Sequence, residues 1–317
     1  MALDHYISQV HLRNFYSPAM GRRKMYAIRK SNFKCFPPRS EDVCRIENGS
    51  TNDYLLNSRI VEEFMKQVEP YYNDSVNKFR IGEIDNDSIF VIAGFIAYIL
   101  SCSPTAMRIG ADPLQHMAEA TAVLVDSEGE IPPPPKELGG ASLTQLLRDK
   151  IANIKIDEKY PQALAISGIL HRTVTFGNFD WDILINEELS SPFFTSDFPV
   201  VIERSKDPRI INRIVPLAPD IAIRIRPSLE EDRRNGNLNF QYFSSRTCRL
   251  KRREVLEINK LVVRCAEDLV FFRDNHKWVE PFVQKNSGFW IEPITEKFPT
   301  ANGVLQLSTM RIARRAA

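Results

Sequence analysis

Residues 89–100, IFVIAGFIAYIL, form the longest apolar run in the chain, twelve residues with no charge on any side. A helix that is apolar all round has to be covered on every face. Crossing a bilayer takes about 20 such residues, so the run predicts a buried core helix. Neither a transmembrane segment nor a membrane partner is expected. Asn86, Asp87 and Ser88 offer N-caps before it, and Ser103-Pro104 closes it. A chain of 317 residues has ample material to surround such a helix.

Around this centre the pattern is helical first and strand-like later. Residues 58–79 place Val61, Phe64, Met65, Val68, Tyr72, Val76 and Phe79 on one stripe at helical spacing. Residues 113–125, 143–154 and 160–174 also read as helices. Residues 24–28 read as a short strand after Met20-Gly21. After Gly177 the stretches 181–185, 193–203, 213–216 and 221–225 are β-like, separated by Asp, Pro and Ser turns. A last helix is expected over 253–272. The expected class is therefore α+β, a helical N-terminal half packed with an antiparallel or mixed sheet from the C-terminal half. The Pro-rich stretch 126–140 is expected as a surface loop within one domain spanning 1–317, or as a joint between sub-domains 1–125 and 141–317.

Charge is distributed by segment. The net charge of +2 resolves into +7 over residues 1–40, −6 over 41–90 and +1 over the rest. The first segment interleaves its cations with Tyr6, Phe15, Tyr16, Tyr26, Phe33 and Phe36, a mixture that suits single-stranded nucleic acid. Neutralisation by the acidic segment that follows is the alternative. Further basic clusters are Arg246, Arg249, Lys251, Arg252 and Arg253, and Arg311, Arg314 and Arg315. Cys35, Cys44, Cys102, Cys248 and Cys265 are odd in number and scattered, with no CxxC. They read as reduced thiols, and with no signal-like start a cytoplasmic location is expected. No Gly-x-Gly-x-x-Gly or P-loop occurs, which excludes nucleotide folds of those types.

Several spaced motifs then converge. The opening His5-Tyr6-Ile7-Ser8-Gln9-Val10-His11-Leu12-Arg13-Asn14-Phe15 resembles the start of the domain-of-unknown-function family numbered four-two-three-eight, whose members begin His-Tyr-Val-Pro and continue Leu-Arg-x-Phe. Thr195-Ser196-Asp197-Phe198-Pro199-Val200 resembles its Thr-Ser-Asp-Asn-Pro-Val. Pro216-Leu217-Ala218-Pro219 resembles its Pro-Leu-Ser-Pro, and Ile258-Asn259-Lys260-Leu261 its late Asn-containing helix. The resemblance covers roughly residues 5–273 in order. Ser8, Phe198 and Cys102-Ser103-Pro104 depart from the usual Pro, Asn and Arg-Thr-Pro. It implies no activity, since the family's own is unknown.

The chemistry-bearing residues admit two readings. His5 has the type for a general base or metal ligand, against a hinge histidine bonded to backbone. His11 sits where an aromatic would serve, and His116, His171 and His276 read as structural. Asp197 is a metal ligand or base with Ser196 donating to substrate, or else the pair forms an Asx or ST turn. Asp197, Glu203 and Lys206 superficially follow the Asp…Glu-x-Lys order of metal-dependent nucleases, but the Glu–Lys spacing puts the two on opposite strand faces. On a continuous 58–79 helix Glu62 and Glu69 would lie about 20° apart and roughly 10 Å along the axis. Asn259, on an apolar helix face, is expected to be buried and bonded, bracing a loop or site.

The first functional reading is a phosphodiester hydrolase, nuclease-like, of the kind that serves as a toxin or phage-defence effector. His5, Glu69 and Asp197 are its catalytic set, with Arg13 as phosphate anchor and Ser196 and Asn259 beside the substrate. A divalent metal fits such carboxylates, and nucleic acid is the partner. The second reading is a non-catalytic ligand-sensing or scaffold protein whose motifs are turns and caps. The first expects His5, Glu69 and Asp197 around one cleft; the second expects them apart.

Overall fold

The computed structural model describes residues 3–132, 137, 139–188, 190–207, 209–228, 235–300 and 303–315. Its centre is the apolar run, now α4 (Asn86–Cys102), buried on every face from Val91 to Ile99. The cap is Asp85: its Oδ1 accepts from Ser88 N at 2.8 Å, and Ser88 Oγ accepts from Asp85 N at 3.0 Å. Ser103 ends this helix and starts the next. Its N–H donates to Ile99 O at 3.2 Å, and its Oγ accepts from Ala106 N at 3.2 Å, with Pro104 at the first helical position. Gly94 lets a neighbouring segment come close, since a Cβ there would meet Phe64 Cζ at 3.0 Å.

The chain enters through β1 (Leu3–His5), α1 (Gln9–Arg13), β2 (Tyr26–Arg29), β3 (Cys35–Phe36) and β4 (Arg45–Glu47). The expected 58–79 helix is broken into α2 (Ile60–Met65) and α3 (Tyr72–Ile81), with a 3-10 turn at Glu69–Tyr71 between them. Pro70 explains the break: it lacks an N–H and disfavours helical geometry in the residue before it. The apolar stripe survives, and all seven of its side chains are buried. Beyond α4 lie α5 (Pro104–Ser127), α6 (Leu143–Arg148), α7 (Lys159–Ser167) and α8 (Ile169–Gly177). The helix expected over 143–154 stops early, where Lys150 adopts φ 56°, and the one over 160–174 is two helices meeting at Gly168. Asp126 Oδ2 accepts from Thr144 N at 3.0 Å across the Pro-rich loop. Pro133, Pro134 and Pro135 of that loop lie outside the described residues.

The strands form the C-terminal half. They are β5 (Asp180–Asn186), β6 (Thr195–Ser196), β7 (Val201–Arg204), β8 (Ile211–Ala218), β9 (Ile221–Arg226) and β10 (Ser244–Leu250). After them come α9 (Arg252–Cys265), β11 (Leu269–Phe272), α10 (Val279–Asn286) and the long hairpin β12 (Phe289–Thr300) and β13 (Gly303–Arg314). A mixed sheet runs β10-β5-β9-β8-β7, with only β10 and β5 parallel. An antiparallel sheet runs β3-β2-β11-β6, so the N-terminal strands flank a strand contributed some 240 residues later. The fold is α+β, helices mostly first and sheets mostly last. The helix expected over 253–272 ends at Cys265, and Leu269–Phe272 is a strand. One cluster of buried side chains, from Ile7 to Ile291, joins helices and sheets.

Candidate functional site

β1 pairs antiparallel with β4, His5 opposite Arg45, and the N–H of Tyr6 donates to Cys44 O at 2.9 Å. This pins the first residues against the helical core, where the hydroxyl of Tyr98 in α4 donates to the His5 carbonyl. α1 follows at once and projects Gln9 and Arg13 over the same opening. The break at Pro70 turns the chain so that Glu62 and Lys66, before it, and Glu69, at it, border that opening too. The result is a cleft of about 570 Å³ whose lining includes Asp4, His5, Arg13, Glu62, Lys66 and Glu69.

Its polar groups differ in how firmly they are held. Asp4 Oδ2 accepts from Ser50 N at 3.0 Å and lies 3.7 Å from Arg59, which also pairs with Glu62. Lys66 pairs with Glu63 at 2.7 Å. Arg13, exposed, donates only to Gln9 Oε1, at 3.0 Å, and has no acidic partner among the described residues. Glu69 is exposed, and no ion pair reaches it among the described residues. His5 is half-buried, and its Nε2 has no hydrogen-bond partner. Burial pushes the His5 imidazole below its ordinary pKa; the Ser40 and Glu41 backbone groups and the Glu69 charge raise it only part of the way back, while Arg45 adds to the lowering. The neutral imidazole is therefore favoured more than in a free histidine, and its Nε2 is enclosed and unengaged.

The other expected site residues lie elsewhere. Asp197 is 4% exposed and does not line the cleft. Its Oδ1 accepts from Glu267 N, and its Oδ2 from Asp268 N and Leu269 N, all at 2.8 Å. These three amides are the ones that follow α9, so Asp197 is what converts the expected long helix into helix, turn and strand. Burial pushes its carboxyl up to about 6, against the downward pull of the three amides and of Lys30. The expectation of Asp197 beside His5 in one cleft is corrected accordingly: the carboxylate is enclosed, accepts from three backbone donors of its own fold and does not line the cleft. Ser196, fully buried, accepts from Phe198 N on its Oγ at 3.2 Å, a local turn bond that leaves it no route to a substrate. Asn259, also fully buried, accepts from Phe194 N at 2.8 Å and donates to Pro192 O at 2.9 Å, bracing the segment that leads into β6. His11 is sealed between Tyr72 Oη at 2.7 Å and Thr195 Oγ1 at 2.8 Å, and burial pushes it down to about 3.

The nuclease-like triplet is not assembled. Glu203 is taken by Arg224 at 2.8 Å and Asn212 at 3.0 Å, while Lys206 is exposed beyond the end of β7. Among the described residues no three or more His, Cys, Asp and Glu side chains are grouped to hold a metal ion, so the divalent-metal expectation finds no ligand set there. No single helix among the described residues is long and apolar enough to cross a membrane. Phe15 is fully buried, which closes its ring to base stacking, and Tyr26 has one face covered by Phe272, ring centroids 5.8 Å apart. Arg39–Glu41 is the one ion pair among the described residues that links a cation of 1–40 to an acid of 41–90, so the two charged segments do not neutralise each other pair by pair.

Two buried cation sites escaped the sequence reading. Lys30, 4% exposed, donates to Ala266 O at 2.5 Å and Phe289 O at 2.8 Å. Arg213 lies in β8 just before the run Ile214–Ala218, which is buried throughout, and is itself part-buried with its Nη1 enclosed. The available signal was a charge at the edge of an apolar strand.

A family model described as "Protein of unknown function (DUF4238)" matches residues 4–276. No curated protein and no solved structure matches the chain.

Proposed function

The chain belongs to the DUF4238 family, whose description names no activity, and from the geometry at its N-terminus we propose that the His5 cleft is the functional site and hydrolyses a phosphodiester. The observation that carries this reading is the convergence of His5, Arg13 and Glu69, drawn from three separate elements, on one opening; the His5 Nε2 is unengaged but enclosed, so a rotation of the ring has to present it to substrate. A neutral imidazole is the form a general base needs. In this scheme His5 takes a proton from an attacking water as its oxygen bonds to phosphorus, the P–O bond to the leaving sugar oxygen breaks, and the imidazolium returns the proton to that oxygen. Glu69, whose charge raises the His5 pKa, stabilises the imidazolium that results, and Arg13 holds a phosphate oxygen through its guanidinium. Nucleic acid is the substrate class proposed, with phage defence or toxicity as the role such an activity would serve.

Purified protein incubated with single-stranded RNA and DNA, with and without Mg²⁺ or Mn²⁺, is expected to cut at least one of them. His5→Ala should abolish cutting and leave the melting temperature close to that of the wild type. Intact substrate under every condition would overturn the hydrolase reading.

A second reading is favoured by a specific observation. Ser196, Asp197 and Asn259 all direct their polar atoms to the backbone of their own fold, as turns and braces of a non-catalytic binding protein would. On that reading the cleft still binds an anion, and Arg13→Ala weakens oligonucleotide binding although no strand is cut.

A further inference from the structure

A second cavity, of about 430 Å³, lies where α5, α7 and α8 meet β8 and the β12–β13 hairpin. Its walls are apolar, with Ile109, Leu114, Leu164, Phe176 and Phe198 among them, and two guanidiniums, Arg172 and Arg213, border it. None of the residues named for the His5 cleft lines it.

The two arginines have no counter-ion. Arg213 Nη1 is buried and makes no hydrogen bond, and Nη2 reaches only the Met310 sulfur at 3.9 Å. Arg172 Nη1 donates to Ser101 Oγ at 2.8 Å and to Leu100 O at 3.3 Å, both neutral. No carboxylate pairs with either group among the described residues. Burial, with the Arg172 charge adding to it and the Cys265 thiol opposing it, pushes Arg213 down to about 10, and burial lowers Arg172 as well. Both remain cations at neutral pH.

A fold places two like charges against an apolar hollow only at a cost, since each loses hydration and each repels the other. Two other buried charges among the described residues follow the opposite rule: Asp182, 1% exposed, has three arginines around it, and Lys30 has two carbonyls. Arg213 Nη1 has no such partner, and what its surroundings lack is an anion. The volume falls within the roughly 300–1,000 Å³ of small-molecule sites, and the walls would take a hydrocarbon body.

We propose that this cavity binds an amphiphilic anion, an alkyl chain lodged among Ile109, Leu114, Leu164, Phe176 and Phe198 with its carboxylate or phosphate head on Arg213 and Arg172. The site stands apart from the His5 cleft and does not depend on the activity proposed there.

The test is titration of the full-length protein with sodium decanoate, decyl phosphate, decanol and acetate, followed by calorimetry and by melting temperature. Decanoate or decyl phosphate should bind with one-to-one stoichiometry and raise the melting temperature, and the tighter of the two identifies the head group. Decanol and acetate should bind at least about tenfold more weakly, because each lacks one half of the recognition. Arg213→Met should weaken binding of the anionic probe at least about tenfold without lowering the melting temperature of the ligand-free protein, since it replaces an uncompensated buried cation by an apolar side chain. Ala165 also lines the cavity; Ala165→Leu, which fills it and leaves both arginines, should also block binding and keeps the test informative if the arginine variant fails to fold. Failure of both anionic probes to bind, equal binding of decanol, or undiminished binding by Ala165→Leu would overturn the proposal.

Discussion

Glu69 and Asp197 are carboxylates that the same reasoning brought forward, and the fold treats them in opposite ways. Glu69 stands exposed at a proline-induced break, with its oxygens open to whatever enters the cleft. Asp197 is enclosed, with three amide donors on its two oxygens. The His5–Glu69 region has polar groups in reserve and little cohesion; the Thr195–Asp197 region has cohesion and nothing in reserve. Both are carboxylates, one marked by a motif and one by helical spacing. What separates them is whether backbone donors reach the side chain first.

This contrast makes graded predictions. The largest effect is expected for Asp197→Ala, which leaves the N–H groups of Glu267, Asp268 and Leu269 unpaired in the interior. A loss of about 3–5 kcal/mol in urea unfolding is expected, and a loss under 1 kcal/mol would mean that the region is not the clamp described. Next comes the pH dependence. Asp197, raised to about 6 when folded, favours the folded state below its ordinary range near 4, and that contribution is lost as pH rises through about 6. His11, lowered to about 3, works the other way: its contribution is present above about 6.5 and lost as pH falls. Between pH 4 and 6 the two oppose each other at about 1.4 kcal/mol per pH unit each. Removing one should uncover the other. Relative to the wild type, the stability of Asp197→Asn should fall more steeply towards acid, and that of His11→Gln should fall less steeply.

Asn259→Ala removes both partners of the Pro192–Phe194 segment and should cost about 2 kcal/mol by the same denaturation assay. The smallest effects belong to the cleft. Arg13→Ala and Glu69→Gln should change stability by no more than about 0.5 kcal/mol, while Glu69→Gln shifts the His5 titration, followed by NMR, to lower pH because a charge that raised it is gone. Large unfolding effects in the cleft variants, or none in the Asp197 and Asn259 variants, would erase the distinction between the two regions.

Local patterns carried much of the fold. The apolar run had to be a buried helix, and the 3.6-residue stripe on 58–79 named its inward side chains correctly even though the helix is broken. The break itself was written in Glu69-Pro70, a local signal outweighed by a long periodic pattern. The end of α9 was not written nearby at all: Leu269 to Phe272 continue the apolar character, and the group that stops the helix is Asp197, about seventy residues earlier. β10 and the β12–β13 hairpin escaped because their strands are polar, Pro-containing or weakly alternating, and pairing rather than propensity makes them strands. The family resemblance rested on residues that the match to 4–276 covers. Of the candidate site, His5, Arg13 and Glu69 meet because strand pairing and a kink bring them together. Asn259, on an apolar helix face, was legible as a buried brace and is one; Asp197 was marked by its motif, and burial under three backbone donors, which the motif does not encode, gave it to the scaffold.

The hairpin that closes the chain has a consequence for where this protein can be cut. Likeness to the family ends at residue 276, yet Lys30 takes one of its two acceptors from Phe289, Arg108 donates to Ile291 O at 3.0 Å, and Val279, Val283 and Ile291 are fully buried. Trimming at the edge of kinship would leave a buried ammonium with one of its two acceptors and bare the apolar surface those three residues cover. Ancestry and mechanical integrity draw their borders at different residues here, and a fragment made to the first border should be judged by solubility before it is judged by function.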